Sequence, residues 1–327
     1  MLQRVYRDAS RAAVMTRWLV GVGTAVATVF GIGLIVALFS FDTAGEDRQP
    51  ARPKITGIDH VRIYVSDVAK SRAFYSDALG LPSSGGNCWG SARPCFPVNS
   101  YQKVELERVP SPAPQNWLAE IAFATDDAAR LRRYLLAHGV TAGPISSDGG
   151  GAPHFELRDP EGNRIAFVQR LVTTADYKIS GRQLSSRLFH AGFVVKDIAA
   201  ENRLYRDILG FRLYWYGGFK DKDIDWYEIQ VPDGDNWIEY MLNIPTNADH
   251  KELGVQNHFS LGVKDAGAAA AQLKKAGLQN FDGPEVGRDG KDSLDAYDPD
   301  GTRVEVMEFT PRQTPCCHAY EAAHPTP

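Results

Sequence analysis

From His60 onward the apolar and polar positions of the chain fall into a pattern that recurs. A short run that alternates, or is apolar throughout, is followed by an Asp and then by a stretch with helical spacing, as in HVRIYVSDVAKSRAFYSDALGL. Alternation is the period of a strand, and an Asp at the junction offers a side-chain oxygen to the first turn of a helix. The helical stretches end at Gly80, Gly139, Gly210 and Gly277, in keeping with the use of glycine at helix C-termini. Two further segments, DPEGNRIAFV from Asp159 and DPDGTRVEVM from Asp298, set an Asp-Pro-x-Gly turn before a closing strand. Each unit therefore predicts a strand, a helix, and then two or three strands.

The unit occurs four times. At a constant offset of 130, His60, Asp67, Tyr75, Asp77, Leu79 and Gly80 match His190, Asp197, Tyr205, Asp207, Leu209 and Gly210. Weaker copies begin at Glu120 and His258. At an offset of 138, Asp127 matches Asp265 and Gly139 matches Gly277. Such a fixed offset is an internal repeat. Residues 171–186 divide the copies two and two, and residues 312–327, without periodicity, are expected to be disordered.

The strand-opening His, the helix ends FYSDALGL and LYRDILGF, and the DPxG turn resemble the vicinal oxygen chelate (VOC) superfamily of glyoxalases, extradiol dioxygenases and bleomycin-resistance proteins. The resemblance covers residues 55–311. It implies an α+β fold in which four βαβββ units pair into two glyoxalase-like VOC domains, residues 55–170 and 187–311. It also implies metal ligands on the first and last strands of a unit pair.

The N-terminus adds a different element. Residues 18–39, WLVGVGTAVATVFGIGLIVALF, carry no charge and would extend about 33 Å as a helix, enough for a bilayer core of about 30 Å. One transmembrane helix is expected here. Arg4, Arg7, Arg11 and Arg17 precede it against a single Asp8, so residues 1–17 read as a cytoplasmic arm. A linker, 40–54, would lead to VOC domains on the extracytoplasmic side of the inner or plasma membrane. A net charge of -4 gives no basic field for phosphates, which excludes nucleic acid as a partner. Four cysteines suit an exported chain: Cys88 and Cys95 bracket a loop that a disulfide could close, whereas Cys316 and Cys317 are adjacent in the tail.

In the second unit pair His190 and His258 open first strands, while Glu239 and Glu305 stand on the last strands NWIEYML and TRVEVME. The gaps of 49, 19 and 47 residues are nearly symmetrical about the unit boundary. Glu239 shares a face with Trp237 and Met241, and Glu305 with Arg303 and Met307. One Glu on a strand is ordinarily a solvent face. Two imidazoles and two carboxylates at equivalent points of a repeat are not. Buried unpaired carboxylates are costly, and a divalent cation relieves that cost. Two His and a Glu with open positions suit iron, manganese, nickel or zinc. The resemblance assigns His190, His258 and Glu305 as ligands, with Glu239 as a fourth ligand or a general base.

The first unit pair keeps His60 and offers Glu105, but places Glu120 where His258 stands and Ala166 where Glu305 stands, so it reads as a degenerate site. His138 and His154 read as surface residues, and His250, His318 and His324 as loop or tail residues.

These residues point to a metal enzyme for a small substrate with vicinal oxygens, either a lyase or isomerase or a ring-cleaving dioxygenase. The ring-cleaving relatives place a Tyr three residues before the Asp-Pro turn and a His shortly before it. Here Asp295 holds the Tyr position, where it could act as an acid or base, and no His is offered. A metal-free small-molecule-binding module and a structural scaffold remain as alternatives, and a homodimer is left open. The aromatic residues Tyr214, Trp215, Tyr216, Trp226 and Trp237 would line a pocket or fill the core.

Overall fold

Residues 51–83, 88, 93–147, 152–170 and 181–327 are described by a computed structural model. The expected cytoplasmic arm and membrane helix 18–39 lie outside them. Among the described residues no helix is long and apolar enough to cross a membrane.

The chain builds its repeat in order. Unit one is β1 (Ile55–Val65), α1 (Val68–Ala73), β2 (Cys95–Pro97) and β3 (Lys103–Arg108). Unit two is β4 (Leu118–Thr125), α2 (Ala128–Ala137), β5 (Ser146–Ser147), β6 (Pro153–Arg158) and β7 (Arg164–Gln169). Unit three is β8 (Arg187–Val194), α3 (Ile198–Asn202), β9 (Arg212–Gly217), β10 (Trp226–Gln230) and β11 (Trp237–Met241). A short helix, α4 (His250–Gln256), leads to unit four. That unit is β12 (His258–Val263), α5 (Ala266–Lys275), β13 (Phe281–Val286), β14 (Asp292–Tyr297) and β15 (Arg303–Glu308).

The local signals act as the chain pattern predicts. The carboxylates of Asp67, Asp127, Asp197 and Asp265 each accept from backbone N–H groups in the first turn of the helix they precede. Helices α1 and α3 both widen into a π-helical turn, in which Leu79 N donates to Phe74 O and Leu209 N to Leu204 O. Both stop at a glycine in the left-handed region, Gly80 at φ 66 and Gly210 at φ 80. The repeat therefore extends to an irregularity that no pattern of apolar residues announces.

The strands form two mixed sheets. One runs β2-β3-β1-β4-β7-β6-β5 and the other β13-β14-β15-β12-β8-β11-β10-β9. At the centre of each, the opening strands of two units pair antiparallel, and each is flanked by the closing strand of its own unit in parallel. Residues on one face of these central strands, among them Ile238, Tyr240, Val304 and Val306, enter a core that draws on both halves. The opposite face of the second sheet carries Trp237 and Met307 in a smaller cluster. The core between halves is clasped reciprocally. Tyr75 Oη donates to Asp298 Oδ2 at 3.3 Å and Tyr205 Oη to Asp159 Oδ2 at 3.4 Å, so the first helix of each half holds a DPxG turn of the other.

Two expectations change. Residues 312–327 are irregular but packed, which corrects the expectation of disorder. Glu321 N donates to Tyr214 O, Gln230 Nε2 to Ala323 O and Tyr320 Oη to Asp289 O, and the tail rings lie on Tyr214. Apolar contact from Tyr320 supplies what periodicity did not signal. Cys316 and Cys317 are bonded to each other, as are Cys88 and Cys95. His250 is not in a loop: it opens α4, capped by Asp249, and its ring lies 4.4 Å from that of Trp117.

Candidate metal centre

A single row of side chains crosses the second sheet. Trp215, Glu228, Glu239, Gly192 and His258 are successive cross-strand partners on β9, β10, β11, β8 and β12. Directly opposed residues share a face, so all five look into one concavity. His190, two residues before Gly192, joins the same face, and Glu305 enters from β15, where Ser260 is its partner.

The four residues singled out by spacing converge. His190 Nε2 lies 3.1 Å from His258 Nε2, 3.2 Å from Glu305 Oε2 and 3.6 Å from Glu239 Oε2. His258 Nε2 lies 3.3 Å from Glu239 Oε2 and 4.0 Å from Glu305 Oε2. All four residues are buried, Glu239 and Glu305 being 8% exposed. One ligand atom each from His190, His258 and Glu305 can be chosen within 4.8 Å of one another. Gly192 makes this approach possible: a Cβ there would meet His258 Cε1 at 2.1 Å.

The two carboxylates draw a cation, with the guanidinium of Arg303 beside them opposing. His258 Nδ1 faces Gln256 O at 3.1 Å, and donation there leaves the Nε2 lone pair to the centre, where Arg303 Nη2 also reaches it at 2.9 Å. Burial, with the Arg303 guanidinium 2.9 Å away, holds the His258 pKa below the ordinary imidazole value. Burial alone would raise Glu305, but the hydrogen bond and charge of His190, with Arg303, hold its carboxyl well below the usual range. Two imidazoles and one carboxylate, those of His190, His258 and Glu305, suit a divalent iron, manganese, nickel or zinc ion.

Beside the centre is a cavity of about 500 Å³, into which Glu239 and Glu305 open. Asp295 lines it. It is on β14 opposite Glu305, and its carboxylate faces Arg303 Nη1 at 3.4 Å. Burial pushes its pKa up to about 6, with Arg303 opposing and Glu305 adding to the rise. Among the aromatic residues, Trp215 and Trp226 line the cavity. Tyr214 and Trp237 instead face the buried ammonium of Lys291, at 4.9 and 4.4 Å from their ring centres.

Four important residues were not singled out from the sequence. Gly192 and Arg303 adjoin His258, and Glu228 faces Glu239 across a ladder whose register the sequence does not state. The fourth is Arg62, which stands at the offset of 130 from Gly192. In the first sheet Arg62 Nη2 lies 2.9 Å from Glu120 Oε1 and 3.0 Å from Glu105 Oε2, with His60 Nε2 3.1 Å from Glu120 Oε1. Lys103 Nζ completes the set at 2.9 Å from Glu105 Oε1. The degenerate centre is thus closed by a guanidinium of the chain itself. The offset was the available signal for it.

The model of the Glyoxalase/Bleomycin resistance protein/Dioxygenase superfamily matches residues 57–167 and 187–306. The chain belongs to this superfamily. Among curated proteins no sequence matches. Of solved structures, an extradiol ring-cleaving dioxygenase from B. fuscum superposes with a TM-score of 0.60 at 20% identity, over 79% of this chain and 74% of that one. The 2,3-dioxygenase LapB from Pseudomonas sp. KL28 gives 0.57 at 18% identity, over 85% and 96%. Homoprotocatechuate 2,3-dioxygenase of Brevibacterium fuscum, solved with 3,4-dihydroxyphenylacetate, gives 0.58 at 19% identity, over 81% and 84%. At these identities the likeness is one of fold: two VOC domains in tandem.

Proposed function

We propose that this VOC protein is a divalent-metal-dependent enzyme that binds a small substrate by two adjacent oxygens and moves a proton on it, as a lyase or isomerase does. The observation that supports the reading is the approach of Glu239 to both imidazoles, at 3.3 and 3.6 Å, which would add a fourth donor to the His190, His258 and Glu305 set. Iron, manganese, nickel or zinc would be held by His190, His258 and Glu305 together with Glu239, and when bound would act as a Lewis acid on the paired substrate oxygens. Glu239 is also on the cavity wall, where its carboxylate can take and return a proton at the adjacent carbon. Asp295, fixed by Arg303, is a second proton acceptor on the same wall.

Elemental analysis of the full chain tests this reading. About one ion per chain is expected, falling to under about a tenth of that in His190→Ala or His258→Ala. A native chain without metal, binding small molecules equally well as Glu305→Ala, would replace the enzyme with a binding module.

Ring cleavage is the second reading, favoured by the tandem fold shared with the dioxygenases above and by the His190, His258 and Glu305 trio. Against it, no Tyr is among the described residues lining the cavity. Oxygen uptake on adding a catechol would select it, whereas anaerobic turnover of a 2-oxoaldehyde adduct selects proton transfer. The apolar segment 18–39 is proposed to tether the enzyme to the inner or plasma membrane, with the VOC domains outside. Retention of the full chain in carbonate-washed membranes, lost on deleting 18–39, tests the tether.

A further inference from the structure

The cavity beside the centre has an aromatic wall combined with an acidic one. Trp215 and Trp226 line it, and Phe219 at the rim packs against Trp226 with ring centres 4.6 Å apart and planes tilted by 59°. Asp225, Glu228 and Asp289 line it as well. Glu228 is 2% exposed, and its Oε2 has no hydrogen-bond partner among the described residues. It is the neighbour of Glu239 in the row across the sheet, one strand away from the centre. Asp225 accepts only neutral donors, Phe219 N and Asn243 Nδ2, each at 2.9 Å. By contrast the guanidinium groups on the wall are already engaged: Arg288 faces Asp221 at 2.5 Å, and Arg303 faces Asp295. The buried ammonium nearest this wall, that of Lys291, lies 4.0 Å from Asp289 and is enclosed by Tyr214, Trp237 and Tyr320.

We propose that this wall selects substrates carrying a cationic amine beside their vicinal oxygens, and rejects those carrying a carboxylate. The inference rests on the reading of the centre as a site for paired oxygens, and adds the rest of the substrate. Neighbouring strands are about 4.8 Å apart, so an amine reaching Glu228 stands roughly 5–10 Å from oxygens held at the centre. An ammonium there gains the face of Trp215 or Trp226 and, by its charge, draws the buried carboxyl of Glu228 to ionise against the burial and the neighbouring acids that hold it protonated. A carboxylate would meet like charge and find no unengaged guanidinium on the wall. This sets the chain apart from the Brevibacterium fuscum enzyme solved with 3,4-dihydroxyphenylacetate, whose ligand is an acid.

The test is calorimetric titration of the full, metal-containing chain with 4-(2-aminoethyl)catechol, 4-ethylcatechol and 3,4-dihydroxyphenylacetate at one ionic strength. The amine is expected to bind about tenfold more tightly than the neutral compound, and the acid most weakly. Glu228→Gln should remove most of the amine's advantage at unchanged metal content, and Asp225→Asn, a milder change at a half-buried position, should reduce it. The same titration with 2-phenylethylamine and phenylacetate, which lack both hydroxyls, separates the two ideas. Preference for the amine in this series alone would sustain the acidic wall and reject chelation of paired oxygens. Equal binding in both series, tighter binding of the acid, or an amine preference intact in both variants would overturn the inference.

Discussion

Arg62 and Gly192 occupy the same point of the repeat, 130 residues apart, and they separate the two centres. Where the chain has Arg62, a guanidinium fills the space between Glu105 and Glu120. Where it has Gly192, the space is left for the ring of His258. Gly192→Ala is therefore expected to displace that ring, weakening metal affinity by at least about tenfold and stability by about 1–3 kcal/mol. Metal titration and urea unfolding of the same variant measure both effects.

Arg62→Met should be costly in the other half, since Glu105 and Glu120 stay buried without their shared guanidinium. Removing one partner from such a network destabilises by about 3–5 kcal/mol. Urea unfolding would show it as a lower midpoint, with the metal content of the second half unchanged. A neutral outcome would mean that Lys103 and His60 suffice to balance the two acids.

Withdrawing the ion should cost stability as well as function. With metal at about a hundredfold its dissociation constant, bound ion adds about 2.7 kcal/mol to folding. Chelation is expected to lower the Tm of the wild-type chain and to leave His258→Ala unmoved. A scan with and without chelator at constant ionic strength decides it.

The pH dependence has a source away from the centre. Glu201 is buried, and burial together with the charge of Asp159 pushes its carboxyl up to about 9. In the unfolded chain the group ionises near the ordinary value of about 4.3. Its contribution is fully present below that pH and is lost progressively as the pH climbs to about 9. Glu201→Gln should flatten the fall in Tm between pH 5 and pH 9 (roughly the span of those two values), seen by calorimetry as a gain confined to the alkaline side.

The ordered tail makes its own prediction. Tyr320 lies on Tyr214 and closes the enclosure around Lys291, and Cys316 O accepts from Trp215 Nε1. Ending the chain at residue 311 should expose this cluster and destabilise by about 3 kcal/mol or more, the scale of losing one buried aromatic side chain. Tyr320→Ala should reproduce most of the loss in a thermal scan.

Much of this was legible from residues alone, and the limits are informative. His190, Glu239, His258 and Glu305 could be grouped because each stands at a fixed point of a repeated unit, and strand alternation put the two acids on the face away from Ile238, Tyr240, Val304 and Val306. The partners that tune them could not be grouped that way. Glu228 meets Glu239 only through strand register, which apolar spacing does not specify. Arg303 shares a face with Glu305, but its approach to His258 depends on how β12 and β15 pair. The tail packs through Tyr320, His324 and a few backbone hydrogen bonds, and such contacts leave no period to read. Residues 18–39 lie outside the described part, so a membrane-spanning role for them rests on their hydropathy alone.

The crossed tyrosines have an implication for how such a chain could evolve. Because Tyr75 grips the turn at Asp298 while Tyr205 grips the one at Asp159, neither half presents a finished surface by itself. The first half could lose its imidazole and its acid to drift and still be retained, as long as it went on offering the contacts its sibling requires. An ancestor with two working centres could thus retire one without discarding the domain that housed it.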